Sequence, residues 1–142
     1  MRSLTILVAG TLVAGGAAFA QTMSSDSKPM TTIPATSFTV TDWYKQDVYD
    51  PNNKKIGQIA DVLVSRDGRV NALIVGVGGF LGVDQKDVAV EFGAVKQTIA
   101  NSKVHLTMNT TKDALKSAPG FKYDSNTTTW VPDTTAKPVG TQ

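Results

Sequence analysis

The sequence predicts an all-β fold, namely a small, mostly antiparallel β-barrel with one short C-terminal helix. Three observations predict it. A Val- and Ile-rich run at residues 70–77 leads into a cluster of glycines, as a buried strand entering a tight turn does. The pair Asp67-Gly68 joins this run to an earlier hydrophobic run, which is a strong hairpin signal. Residues 87–92 and 103–108 alternate between apolar and polar side chains. A closed barrel is favoured because closure removes exposed strand edges.

The glycines are predicted to be structural. They are Gly57, Gly68, Gly76, Gly78, Gly79 and Gly82. The cluster at residues 76–82 does not match a phosphate-binding loop, because Leu81 stands where the third glycine belongs and no helix is predicted to follow. We therefore expect a barrel corner in which glycine adopts positive φ, with Phe80 and Leu81 either filling the barrel or forming an apolar tip.

The remaining segments are short. Residues 38–41 are predicted to form a strand leading to Trp43, and residues 55–64 a second strand in which Gly57 marks a bulge. Residues 93–96 are predicted to form one helical turn. Thr111 is expected to cap a short helix that Pro119 ends. Residues 121–131 could form a terminal hairpin that pairs Tyr123 with Trp130.

The chain is predicted to have four parts. Residues 1–20 are typical of a signal peptide, with Arg2 before an apolar run and an A-x-A site ending at Ala20. Residues 21–36 are expected to be a disordered linker, 37–121 the folded domain, and 122–142 a Thr- and Pro-rich tail that includes the hairpin. Cleavage after Ala20 would leave a periplasmic or secreted protein with no membrane-spanning segment.

Composition excludes several functions. The formal net charge of +2 argues against a nucleic-acid partner. With no cysteine and a single histidine, the sequence cannot form a disulfide, a cysteine dyad or a multi-histidine metal site. His105 is interpreted as a surface residue, since it alternates away from an apolar strand face, and we expect no enzyme activity and no cofactor. Asp61 is expected to accept backbone N–H bonds at a turn.

Several segments in the same order resemble the PRC-barrel family. They are residues 44–50, 55–64, 67–70, 76–82 and 86–90, and the resemblance extends over about residues 38–121. It is closest to small, exported, single-domain bacterial members and implies a compact β-barrel that serves as a docking or assembly module without catalysis. The sequence departs from the family pattern at two places, which changes the surface character. Trp43-Tyr44-Lys45-Gln46 precedes the first valine, and Glu91 stands in place of a proline.

The candidate interaction surface consists of Trp43, Tyr44, Phe80 and Leu81, because exposed aromatic and apolar side chains are enriched at interfaces. Tyr49 also lies nearby, although core packing is the preferred interpretation for it. The expected partner is an unidentified protein or a second copy of this chain. The alternative function is binding of a small ligand, or of an ion at the acidic residues Asp84, Asp87 and Glu91. No catalytic, cofactor-binding or metal-ligating residue is assigned.

Overall fold

The computed structural model describes residues 28–79 and 84–135. The chain divides into two compact units, Met1–Ala35 and Thr36–Gln142. In the first unit, residues 28–35 are exposed and form neither helix nor strand. The second unit contains all the helices and strands described below. The predicted signal peptide, residues 21–27 of the predicted linker, and Phe80, Leu81 and Gly82 lie outside the described residues.

The second unit is mostly β. In chain order its elements are helix α1 (Val40–Trp43), strands β1 (Asp47–Tyr49), β2 (Lys55–Val64), β3 (Val70–Val77) and β4 (Lys86–Glu91), a 3₁₀ turn (Phe92–Ala94), strands β5 (Val95–Ala100) and β6 (Lys103–Met108), helix α2 (Lys112–Ser117), and strands β7 (Phe121–Asp124) and β8 (Thr129–Pro132). The eight strands form one sheet in the order β5-β6-β1-β2-β3-β4-β7-β8.

Strand β3 lies inside the sheet and is the most deeply buried element. It pairs antiparallel with β2 on one side and with β4 on the other. Its residues from Leu73 to Val77 are all buried, as the Val- and Ile-rich run predicts. The main core cluster gathers side chains from most of the elements: Trp43, Val48, Ile56, Ile59, Leu73, Val75, Val77, Val88, Val95, Leu106, Met108 and Leu115.

Two irregularities in β2 explain why its hydrophobic pattern changes face. The register shifts between Lys55 and Gly57 against β1, and again between Ile59 and Asp61 against β3. Each shift inserts one residue, which moves the following side chains to the other face of the strand. Gly57 lies at the first shift, where a Cβ atom would come within 2.6 Å of Val75 Cγ1 and 2.9 Å of the Gly76 carbonyl oxygen. Its lack of a side chain lets β2 and β3 approach closely.

One local prediction is wrong, and another is confirmed only in part. Residues 38–41 do not form a strand, because helix α1 begins at Val40, and the Thr39 hydroxyl accepts a hydrogen bond from the Asp42 N–H at 3.3 Å as an N-cap. The helical turn predicted for residues 93–96 is present as a 3₁₀ turn at Phe92–Ala94, but it ends earlier than predicted because β5 begins at Val95. The sequence of β5 does not alternate between apolar and polar residues, and most of its side chains are exposed. The predicted helix after Thr111 is present, with the Thr111 hydroxyl accepting from the Ala114 N–H at 3.1 Å.

The sheet is mixed, and its pairing does not confirm a closed antiparallel barrel. β1 and β6 run parallel, with Val48 opposite Leu106, whereas the other strand pairs are antiparallel. Among the described residues, β5 and β8 end the strand order and do not pair with each other. The terminal hairpin pairs Tyr123 with Trp130 and joins the sheet through β4, so the sheet continues beyond residue 121.

The two glycines that follow β3 allow a prediction about stability. Gly78 and Gly79 have φ of +75° and +68°, a left-handed conformation that strains a β-branched residue. We expect Gly79→Val to lower the free energy of unfolding by roughly 1–3 kcal/mol, measured by urea denaturation. Gly93→Val is the control, since a Cβ atom there meets no atom within 4 Å and this glycine does not have positive φ. Equal stability of the two variants would contradict the prediction.

Candidate docking surface

Trp43 anchors helix α1 in the core. It is 2% exposed, and its ring stacks on Phe92 with centroids 5.1 Å apart and packs against Phe38 at 5.0 Å. Its indole Nε1–H donates to the Gln97 side-chain oxygen on β5. Burying a tryptophan requires a partner for this N–H, and Gln97 supplies it. Trp43 is therefore a core residue, and its prediction as part of the interaction surface is wrong.

Tyr44, the next residue, is exposed. It ends α1, with its backbone N–H donating to the Val40 carbonyl at 2.9 Å, and its side chain is 50% exposed. The following residue, Lys45, has φ of +63° and places its Nζ 5.2 Å from the centre of the Tyr44 ring. The Lys45 backbone N–H bonds to the Ile59 carbonyl at 2.9 Å. This left-handed turn fixes the end of α1 to β2. At this position Trp43 is buried, whereas Tyr44 is exposed.

Strand β5 adjoins α1 and has an open outer edge. Within the described residues it pairs only with β6, and its Ile99 side chain is 72% exposed. A groove of about 360 Å³ lies between α1 and the β5–β6 hairpin, with Asp42 and Ile99 in its lining. Gln46 closes one side, because its Nε2 donates to the Val104 carbonyl at 3.1 Å.

We define the docking face as the exposed apolar side chains on and before α1 and on β5. They are Phe38, Val40, Tyr44 and Ile99. Exposed apolar side chains beside an unpaired strand edge are typical of surfaces that associate with another chain. Tyr44 is the predicted site residue that the structure places there, whereas Phe80 and Leu81 lie outside the described residues. Ile99 and the edge strand were missed because β5 lacks a strand-like hydrophobic pattern.

His105 lies on β6 beside a second groove. Its ring stacks on Tyr49 with centroids 4.8 Å apart, and both residues are half-buried. The groove, of about 460 Å³, also includes Asp50 and Lys96. The Asp50 carboxylate accepts the backbone N–H groups of Asn52 and Lys54, both at 2.9 Å, and so holds the turn between β1 and β2. This arrangement gives Asp50 a structural role and leaves the imidazole packed against an aromatic ring.

The acidic residues proposed for an ion do not converge. Asp87 and Glu91 lie four positions apart on β4, and Asp84 precedes the strand with φ of +56°. Asp87 accepts a hydrogen bond from the Gln85 side chain at 2.7 Å. Across residues 28–79 and 84–135, no group of three His, Asp or Glu side chains is placed to hold a metal ion.

Asp61 connects two distant strands. Its Oδ1 accepts the Val62 backbone N–H at 2.8 Å, and its Oδ2 accepts the Trp130 indole N–H, also at 2.8 Å. The expected backbone bond is present, although it forms at the β2 register shift and not at a turn. The bond to Trp130 shows that β8 folds back towards β2. The partly buried Asp61 is paired in register with Ile74, whose side chain is fully buried, and paired residues point to the same face of the sheet.

The β7–β8 turn is held by Asp124. The backbone N–H of Asn126 donates to this carboxylate at 2.9 Å, and the Thr127 hydroxyl donates to it at 2.9 Å. These bonds lower the pKa of Asp124 below its ordinary value, and the bond from the Asn126 backbone N–H has the largest effect. The hairpin that carries Trp130 is thus locally stabilised as well as anchored on β2.

The bond between β8 and β2 can be tested by substitution. Trp130→Phe keeps an aromatic ring but removes the N–H, and a hydrogen bond to a carboxylate contributes about 1.5–3 kcal/mol. We expect a loss of stability of about that size in urea denaturation. Tyr123→Phe is the control, because it alters an exposed ring on the same hairpin. A loss no larger in Trp130→Phe than in Tyr123→Phe would show that the indole bond contributes nothing.

The comparisons with known proteins agree with this architecture. The family model described as PRC-barrel domain matches residues 35–115, which is more than half of the chain. The match covers α1 and the strands from β1 to β6 and ends within α2. No curated protein matches the chain. In the described ranges, no helix is long and apolar enough to cross a membrane.

Proposed function

This chain belongs to the PRC-barrel domain family, and we propose that it is an exported, non-catalytic docking module that binds a protein partner or a second copy of itself in the cell envelope. The observation that carries the proposal is the docking face, in which Tyr44 is exposed at the end of α1 and Ile99 is exposed on the edge strand β5. We further propose that the sheet curves into a partly open form of the barrel for which the family is named, in which the outer edge of β5 stays unpaired.

The docking face has the two features that a strand edge needs for association. The unpaired backbone groups of β5 supply hydrogen-bond donors and acceptors to an incoming strand. The neighbouring side chains supply apolar area, and tyrosine is a residue type enriched among those that dominate binding energy. Behind this surface, the bond between Trp43 and Gln97 holds α1 against β5. The surface is therefore positioned by the core before any partner arrives.

The absence of catalysis is proposed from the environment of the histidine. His105 stacks on Tyr49, and the nearby Asp50 carboxylate is engaged by the backbone of its own turn. A general base needs a partner that orients it and a proton to abstract within hydrogen-bond reach. The packing of His105 instead favours a structural role.

The docking function is tested by crosslinking and pull-down from an envelope fraction, together with light scattering. We expect the parent chain to retain a partner or to dimerise. Tyr44→Ser combined with Ile99→Ser should weaken the association at least about tenfold, since truncating an anchoring side chain costs more than about 1 kcal/mol. Ile33→Ser is the matched control, since Ile33 is about as exposed as Ile99 and belongs neither to the docking face nor to a strand. A monomer with no retained partner would contradict the proposal.

Export is tested separately, by the mass of the protein recovered from the periplasmic fraction of a bacterial host. The A-x-A site predicts a mature chain that begins at Gln21. Ala20→Asp places a charge where signal peptidase requires a small residue, so we expect the uncleaved mass for this variant. Recovery of the full-length parent chain in the cytoplasmic fraction would contradict export.

A further inference from the structure

A further groove involves β7 and β8, at the opposite end of the strand order from β5, and combines a carboxylate residue with two aromatic residues. It lies between the end of the β2–β3 hairpin and the β7–β8 hairpin and has a volume of about 360 Å³. The residues that line it include Asp61, Asn71, Tyr123 and Trp130. We call it the aromatic–carboxylate groove. We propose that this groove binds a guanidinium group, the head group of arginine.

The charge of the groove favours a cation. Among the described residues that line it, Asp61 is the only charged one. The described ion pairs join Lys55 to Asp47, Arg69 to Asp67 and Lys122 to Asp133, and none of them includes Asp61. A partly buried carboxylate without an ion-pair partner attracts an incoming cation, because fewer water molecules screen it than at the open surface.

The hydrogen bonding of Asp61 favours a planar, forked cation. A carboxylate offers about four acceptor positions on two oxygens. Val62 occupies one on Oδ1 and Trp130 occupies one on Oδ2. Each oxygen therefore keeps capacity for a further bond, and the two existing bonds fix the orientation of the carboxylate plane. Guanidinium presents two parallel N–H groups at the spacing of two carboxylate oxygens.

The aromatic side chains supply the rest of the site. The rings of Tyr123 and Trp130 lie 5.9 Å apart at an interplanar angle of 70°. Tyr123 is 54% exposed, so its ring is accessible to a ligand. Aromatic faces attract cations, and guanidinium also stacks on them more readily than ammonium does. The groove beside His105 lacks this combination, because Lys96 and Asp50 give it opposite charges.

The guanidinium could belong to a free arginine derivative or to an arginine side chain of a protein. Neither source involves the docking face, so this proposal is independent of the proposed function. A chain that binds arginine without dimerising or retaining a partner would support this inference alone. A chain that docks normally but ignores arginine would support the proposed function alone.

The test follows the two tryptophan indole N–H signals in ¹H–¹⁵N spectra of the full chain. The chain has two tryptophans, Trp43 and Trp130, and only Trp130 lines the groove. On addition of Nα-acetylarginine amide, we expect the Trp130 signal to shift to saturation while the Trp43 signal stays in place. The citrulline derivative, which has the same shape without the charge, should bind at least about tenfold more weakly.

A short glycine peptide with one central arginine distinguishes the two sources. Tighter binding of this peptide than of the free derivative would assign the site to an arginine within a protein. Equal binding would assign it to the guanidinium alone. Both results support the proposal. No shift of the Trp130 signal with either probe would overturn it, as would equal binding of the arginine and citrulline derivatives.

Three variants confirm the location. Asp61→Asn should weaken arginine binding at least about tenfold, since it removes the charge that the guanidinium pairs with. Tyr123→Ser should also weaken it, and because Tyr123 is exposed this variant keeps the core intact even if Asp61→Asn does not fold. Glu91→Gln is the matched control, an exposed carboxylate elsewhere on the sheet. Unchanged affinity in Tyr123→Ser would overturn the proposed site.

Discussion

Burial of β3 is the constraint on which the rest of the structure depends. From Ala72 to Gly76 it pairs with β2 on one side and β4 on the other, and its residues from Leu73 to Val77 are buried. Its side chains are buried on both faces, with Leu73, Val75 and Val77 in the main core and Ile74 on the opposite side. A strand of this kind needs cover on each face. The core elements cover one face, and the β7–β8 hairpin, through Trp130, reaches the face that Asp61 shares with Ile74.

The sequence predicted the elements whose stability is local. The β-branched run of β3, the Asp67-Gly68 hairpin and the Thr111 cap are set by side-chain shape and by neighbours within a few positions, and the structure contains all three. It did not predict α1 or β5. The Phe38-Thr39-Val40-Thr41 alternation resembles a strand, yet burial of Trp43 against Phe92 determines the backbone there. β5 is held by pairing with β6 and not by its own pattern.

The sequence predicted the candidate surface only in part, because burial of its residues depends on partners distant in the sequence. Trp43 and Tyr44 are adjacent aromatic residues, and composition cannot tell which of them is buried. Trp43 is the buried residue of the two, and its indole N–H donates to the Gln97 side chain, 54 positions away. Asp61 shows the same dependence, because its second partner lies 69 positions away on β8. Side chains that depend on distant partners cannot be placed by local periodicity, whereas exposed Tyr44 follows once Trp43 has been placed.

The parallel pairing of β1 with β6 has a consequence for the order of folding. β1 can pair with β2 as soon as the intervening turn forms, but its other edge needs β6, and Gln46 reaches the Val104 carbonyl across 58 positions. Contacts between positions far apart in sequence form late, because the entropy of closing the loop is lost before the contact repays it. The first half of the chain therefore keeps an unfinished strand edge until β6 has been synthesised. The sheet is therefore completed only when the last third of the chain is present.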